Sequence, residues 1–160
     1  MAPMIDDSRL TKTEKLALRK VIDRALEAAR SDKRVGIAAA IVCGDKILEI
    51  AENEVNTLSD PTKHAEMVAL AALSQREDRK NLGDCTLIST LQPCEMCLSA
   101  MRFAGIKRVI YAATQERVAD KYFVFPKLRI ADFQSAGETF EQLGGLGEDE
   151  VLHLYATGEE

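Results

Sequence analysis

Two short segments constrain this chain more than any other part of it. His64-Ala65-Glu66 stands at the start of one predicted helix. Pro93-Cys94-Glu95-Met96-Cys97 stands at the start of the next, about thirty residues further on, with one predicted strand between them. Two cysteines separated by two residues at a helix start can aim both sulfurs at one metal ion. The partial positive charge of the helix N-terminus favours their thiolates. Zinc takes thiolate and imidazole ligands, so His64 can complete a His, Cys, Cys set. A closed structural site needs four protein ligands, whereas a catalytic zinc site keeps one position open for water.

Other readings of these residues need weighing. A lone His-x-Glu is common by chance. A lone Cys-x-x-Cys can be structural, redox-active or accidental, and a thioredoxin-type motif has no partner histidine. For a fourth zinc ligand the chain offers only Cys43, Cys85 and His153. Cys43 and Cys85 fall in predicted core strands, where the role of a small buried hydrophobe is expected, and His153 reads as a surface or helix-end residue. With three ligands, Glu66 gains a purpose. It lies two residues past His64, near the metal and free not to bind it. Zinc lowers the pKa of water toward about 7, and a carboxylate there can take the proton, pass it to a ring nitrogen and later to a leaving amine. In order and spacing the two segments fit the H-x-E…P-C-x-x-C pattern of zinc deaminases.

The rest of the chain supplies the frame. Thr11 to Arg30 predicts an amphipathic helix, with Thr11 and Glu14 at capping-box spacing and Leu18, Val21, Ile22, Ala25 and Ala29 on one face. Val35 to Cys43 and Ile47 to Ala51 read as strands joined by a turn at Gly44-Asp45-Lys46. Asn53 to Lys63 reads as a loop, with Asp60 as helix cap and Pro61 in the first turn of a helix running to Ser74. That helix has Met67, Leu70, Ala71 and Leu73 available to the core, and Gln75 to Gly83 follows as a connector. Cys85 to Leu91 is a strand, Cys94 to Ala104 a helix stopped by Gly105, and Arg108 to Ala113 a strand. Beyond it the pattern weakens through the aromatic stretch Asp120 to Phe133, breaks at Gly144-Gly145-Leu146-Gly147, and ends in a short helix over Glu148 to Tyr155. This order predicts a three-layer α/β/α sandwich with a mixed sheet. One domain over residues 1–160 is expected, with no internal repeat.

Charge narrows the substrate. The formal net charge of -5 opposes a grip on phosphates, which needs a surplus of Lys and Arg, so a small molecule is expected and nucleic acid is not. Met1–Leu10 lacks the basic and apolar regions of a secretory signal. The longest apolar run, about Ile37 to Cys43, is too short to span a bilayer. A soluble, cytoplasmic protein is expected, and four cysteines in such a chain suggest no disulfide framework.

The segments Asn53-Glu54-Val55, Asp60-Pro61-Thr62-Lys63-His64-Ala65-Glu66 and Gln92-Pro93-Cys94-Glu95-Met96-Cys97-Leu98 resemble the cytidine deaminase superfamily. More narrowly they resemble the branch that holds guanine deaminases, yeast-type cytosine deaminases and tRNA adenosine deaminases. The resemblance covers about the middle hundred residues. It implies a five-stranded sheet between helices, zinc on His64, Cys94 and Cys97, and Glu66 as proton shuttle. It implies that Asn53 hydrogen-bonds the substrate ring, that the Ala65 backbone contacts it, and that the protein is a homodimer with its site near the subunit contact. Tyr111-Ala112-Ala113-Thr114 looks more like the guanine enzymes. The tRNA enzymes usually carry a basic C-terminal helix, and here the corresponding region holds Glu148, Asp149, Glu150, Glu159 and Glu160. The chain departs from the family at Val35-Gly36-Ile37-Ala38, where Pro-Phe-Gly-Ala is frequent, and at Gln92, where Glu is common. Tyr122, Phe123 and Phe125 fall where guanine-type relatives close over the base; a core edge is the other reading. The implied activity is deamination of a free nucleobase, guanine first. The alternatives are the same chemistry on cytosine, a nucleoside or nucleotide, a triazine- or pterin-like ring, or adenosine in tRNA, and a non-catalytic zinc-stabilised interaction module.

Overall fold

A computed structural model describes residues 5–31 and 35–158; Glu159 and Glu160 of the acidic C-terminus lie outside them. The first helix, α1 (Lys12–Ala28), begins where the capping box predicts: Thr11 Oγ1 accepts the Glu14 N–H at 3.0 Å and Glu14 accepts the Thr11 N–H at 2.9 Å. Leu18, Val21, Ile22 and Ala25 are fully buried, each larger one contributing about 1.5–3 kcal/mol by burial. Ala29 is exposed and Ala28 takes its place on the inner face. Glu14 also receives two hydrogen bonds from the Arg108 guanidinium, at 2.9 and 3.0 Å. Burial pushes the Glu14 carboxyl up, but Arg108 and the Thr11 N–H together hold it below the usual range.

The hairpin of β1 (Ala38–Cys43) and β2 (Lys46–Glu52) carries a bulge between Ile41 and Val42. β1 also pairs antiparallel with β3 (Cys85–Leu91), which runs parallel to β4 (Arg108–Ala113). A fifth strand, β5 (Glu141–Leu143), pairs parallel with β4, giving the order β2-β1-β3-β4-β5. Three residues reading Glu-Gln-Leu carry no periodicity, so only the family resemblance anticipated this strand. Side chains alternate across the sheet. Leu87, Val109 and Tyr111 face α3 (Ala65–Glu77) and α4 (Glu95–Phe103). Ile88, Ile110 and Ala112 face α1 and the terminal α6 (Leu152–Tyr155). The result is a mixed α/β sheet between two helical layers. No helix of the described residues is long and apolar enough to cross a membrane.

Several local expectations are corrected. The loop after β2 contains a short helix, α2 (Val55–Leu58). Asp60 does not cap the next helix; it accepts the Thr62 N–H at 2.9 Å and the Thr62 hydroxyl at 2.6 Å, closing a turn that holds Pro61. α3 therefore starts at Ala65, past Pro61 rather than with Pro61 in its first turn, and it runs three residues into the predicted connector, to Glu77. Its buried side chains include Ala69, Leu70 and Leu73, while Met67 and Ala71 are half-buried. The aromatic stretch ends in α5 (Ile130–Ala136), and the terminal segment splits into a 3-10 turn at Glu148–Glu150 and α6.

The largest correction concerns Cys43 and Cys85. They are not two separate buried hydrophobes. They face each other across the β1–β3 ladder, with Cα atoms 4.2 Å apart, and form a disulfide. Arg79 lies against both sulfurs, at 3.5 Å from Cys43 and 3.1 Å from Cys85. Reducing this bond, or replacing both cysteines by serine, should cost about 2–4 kcal/mol, measured by urea unfolding with and without reductant; equal midpoints would show that the pair is not linked. At the other edge, the chain leaving β5 passes directly over Tyr111, so that a Cβ on Gly144 would meet the ring at 2.2 Å. Gly144→Ala should destabilise by about 1–3 kcal/mol or more, read from the same unfolding curves.

Candidate active site

β2 and β3 end at the same edge of the sheet, with the entry to β1 between them, because β1 is antiparallel to both. In open α/β sheets the carboxyl ends of strands are where ligands gather. Asn53 follows β2, and its N–H bonds the Ile37 carbonyl at 3.0 Å. The Asn53 Oδ1 accepts the Val55 N–H at 3.0 Å, which leaves its amide NH2 as the group free to donate to a ligand.

α3 and α4 both begin at this edge. His64 is the N-cap of α3 and Cys94 the N-cap of α4, both with extended backbone, and neither side chain caps its own helix. Instead the two side chains meet. His64 Nδ1 is 3.5 Å from Cys94 Sγ and 3.6 Å from Cys97 Sγ, and one donor atom from each of the three lies within 4.8 Å of the others. An imidazole nitrogen and two sulfurs at this spacing, turned toward one another at two helix N-termini, fit a zinc ion. The two cysteines differ. A hydrogen bond from Cys97 and another from His64 hold the Cys94 thiol down at about 4, against the effect of burial. Cys97, donating to Cys94 and buried beside Glu66, is pushed well above the ordinary thiol range. The Cys94 thiolate in turn raises His64, against its burial.

Glu66 is 4% exposed. Burial lifts its carboxyl to about 7, and the Cys94 charge adds to the rise; a hydrogen bond from its own backbone N–H, the His64 charge and the Ser89 hydroxyl oppose it. A carboxyl near neutrality can both accept and give a proton at physiological pH. Ala65 is fully buried in the first turn of α3, where main-chain N–H groups have no intrahelical partner.

A cavity of about 580 Å³ opens over these groups. Asn53, His64, Glu66 and Cys94 lie in its lining with Glu95, Ser99 and Lys121, and the apolar part comes from Val35, Ile37, Val55, Pro61, Leu91 and Met96. The aromatic stretch divides between its two readings. Tyr122, Val124 and Phe125 line the cavity, whereas Phe123 is buried in the core. The sequence carried no signal for Ser99 or Lys121, since neither belongs to a spacing pattern. Gln92 is buried, and its Oε1 accepts the Gln115 N–H at 3.0 Å.

The chain is similar to known proteins in both sequence and fold. A tRNA-specific adenosine deaminase of Aquifex aeolicus (strain VF5) is 38% identical over 106 residues, 66% of this chain and 70% of that protein. A guanine deaminase of Bacillus subtilis (strain 168) is 33% identical over 106 residues, 66% of this chain and 68% of that one. Among solved structures, a chain from a study of A-to-I editing by tRNA:A34 deaminases superposes with a TM-score of 0.73 at 25% identity, covering 87% of this chain and 98% of the other. Residues 11–113 match the cytidine and deoxycytidylate deaminase zinc-binding region, and the chain belongs to that family of zinc-dependent hydrolases, which act on the C–N bonds of cyclic amidines.

Proposed function

We propose that the protein deaminates a free aminated heterocycle hydrolytically, guanine first. The observation that carries this reading is the Glu66 carboxyl, buried in the lining of an apolar-walled cavity beside His64, Cys94 and Cys97. A purely structural metal site has no use for a buried carboxyl there. His64 through Nδ1, with Cys94 and Cys97, would hold the zinc. Zinc, when bound, supplies a Lewis acid that makes water nucleophilic near neutral pH. Glu66 takes one proton from the water that attacks the amino-bearing ring carbon and delivers it to the adjacent ring nitrogen; it then takes the remaining hydroxyl proton and passes it to the amino group, which leaves as ammonia while the ring carbon becomes a carbonyl. The Asn53 side-chain amide donates to the ring, the Ala65 N–H provides a main-chain contact, and the apolar walls take the ring faces.

The net charge of -5 supports a small substrate over a polyanion. Adenosine in tRNA is the second reading, favoured by the Aquifex aeolicus relative and by the solved tRNA:A34 deaminase. Ammonia release across guanine, cytosine, adenine, their nucleosides and a tRNA anticodon stem-loop decides between them. Guanine turnover supports the first reading; turnover of the stem-loop alone, with binding that weakens steeply as salt rises, supports the second. With the reactive substrate, Glu66→Gln should lower kcat by about 10²- to 10⁴-fold while zinc stays at one per chain. Near-normal turnover by that variant would overturn the mechanism.

The proposed partner is a second copy of the chain. Phe103, 91% exposed on α4, is the apolar side chain that such a contact would cover. Sedimentation should show a dimer, and Phe103→Asp should shift it toward monomer.

A further inference from the structure

The part of the cavity wall built by Val124 and Phe125 is not held by burial. The two residues are 79% and 59% exposed, so packing alone would leave their side chains free to swing. Polar ties hold the main chain that carries them. Glu95 accepts the Phe125 N–H at 3.0 Å. Gln115 donates from Nε2 to the Leu128 carbonyl at 3.1 Å and to the Pro126 carbonyl at 3.4 Å. Gln115 is in turn seated on Gln92. Gln92 and Glu95 flank Pro93-Cys94. The wall is therefore fastened to the same short stretch that carries the candidate metal ligands.

The Glu95 bond is the one that acts at Phe125 itself. Glu95 is the first residue of α4, where the helix N-terminus favours a carboxylate, and a carboxylate accepting an N–H makes one of the stronger hydrogen bonds. Its carboxylate thus bridges two segments: α4, which presents Met96 and Ser99 to the cavity, and the strip that presents Val124 and Phe125. We propose that Glu95 is a positioning residue, seating Val124 and Phe125 as an apolar wall against the substrate ring and so setting affinity for the ring rather than the rate of chemistry on it. The inference rests on the proposed function only in taking a flat heterocycle as the substrate.

Glu95→Gln keeps an oxygen acceptor and removes the charge; Glu95→Ala removes both. The two variants are compared with wild type as zinc-loaded protein. Exchange of the Phe125 amide hydrogen, followed by NMR without substrate, should speed up at least about tenfold in Glu95→Ala and much less in Glu95→Gln. The KM for guanine should rise about tenfold in Glu95→Ala with kcat within about threefold, and Glu95→Gln should recover most of the loss. Zinc content should be unchanged in both. Equal KM effects in the two variants would mean that Glu95 acts through its charge on His64, and the positioning role would be overturned. Unchanged Phe125 exchange in Glu95→Ala would overturn it as well. Should guanine prove unreactive, the exchange comparison still decides the matter, because it is read with no substrate present.

Discussion

Everything at the site depends on two helix-capping residues that do not cap. His64 and Cys94 occupy N-cap positions with the extended backbone that N-caps adopt, yet each turns its side chain away from its own helix and toward the other. Both helix N-termini therefore lie beside the three donor atoms, and the Cys97 main-chain N–H bonds to Cys94. Hydrogen bonds from Cys97 and His64 hold a thiolate at Cys94, the helix N-terminus favours it as well, and the thiolate in turn favours a proton on His64 and, adding to burial, on Glu66. A side chain that capped its own helix would satisfy one donor there and break the cluster.

The sheet makes this meeting possible. Because β1 runs against both neighbours, β2 and β3 deliver their carboxyl ends to the same edge, and the chain leaves each of them into a helix that starts over the cavity. The opposite edge carries the Cys43–Cys85 link and Arg79. The two cysteine pairs therefore sit at opposite ends of β3 and serve different ends: one ties β1 to β3, while the other faces His64. A buried carboxyl such as Glu66 is costly to ionise, and Ser89, deep in β3, is one of the few groups that ease that cost. The cavity wall of Val124 and Phe125 is held differently, by hydrogen bonds to its main chain rather than by burial.

Much of the frame was legible in the chain itself. The capping box at Thr11 and Glu14, the inward face Leu18-Val21-Ile22-Ala25, the β-branched runs of β1, β3 and β4, and the two metal-type segments are local patterns, and each leaves a mark over a few neighbouring residues. The start of α3 has no unique local signature, because Asp60-Pro61 is equally good as a cap and as a turn, and the competing hydrogen bonds to Thr62 decide between them. β5 was invisible to periodicity, since a three-residue edge strand exists only through its pairing with β4.

The order and spacing of His64, Glu66, Cys94 and Cys97 already pointed to the zinc deaminase family, because ligand type and helix-start position are written locally. Tertiary structure decided what has no local signature. The pairing of Cys43 with Cys85 requires the β1–β3 register. The division of the aromatic stretch, with Phe123 in the core and Tyr122 and Phe125 at the cavity, requires knowing where the sheet ends. The bond from Glu95 to Phe125 joins residues thirty positions apart, and only the packed fold brings such groups within reach of each other.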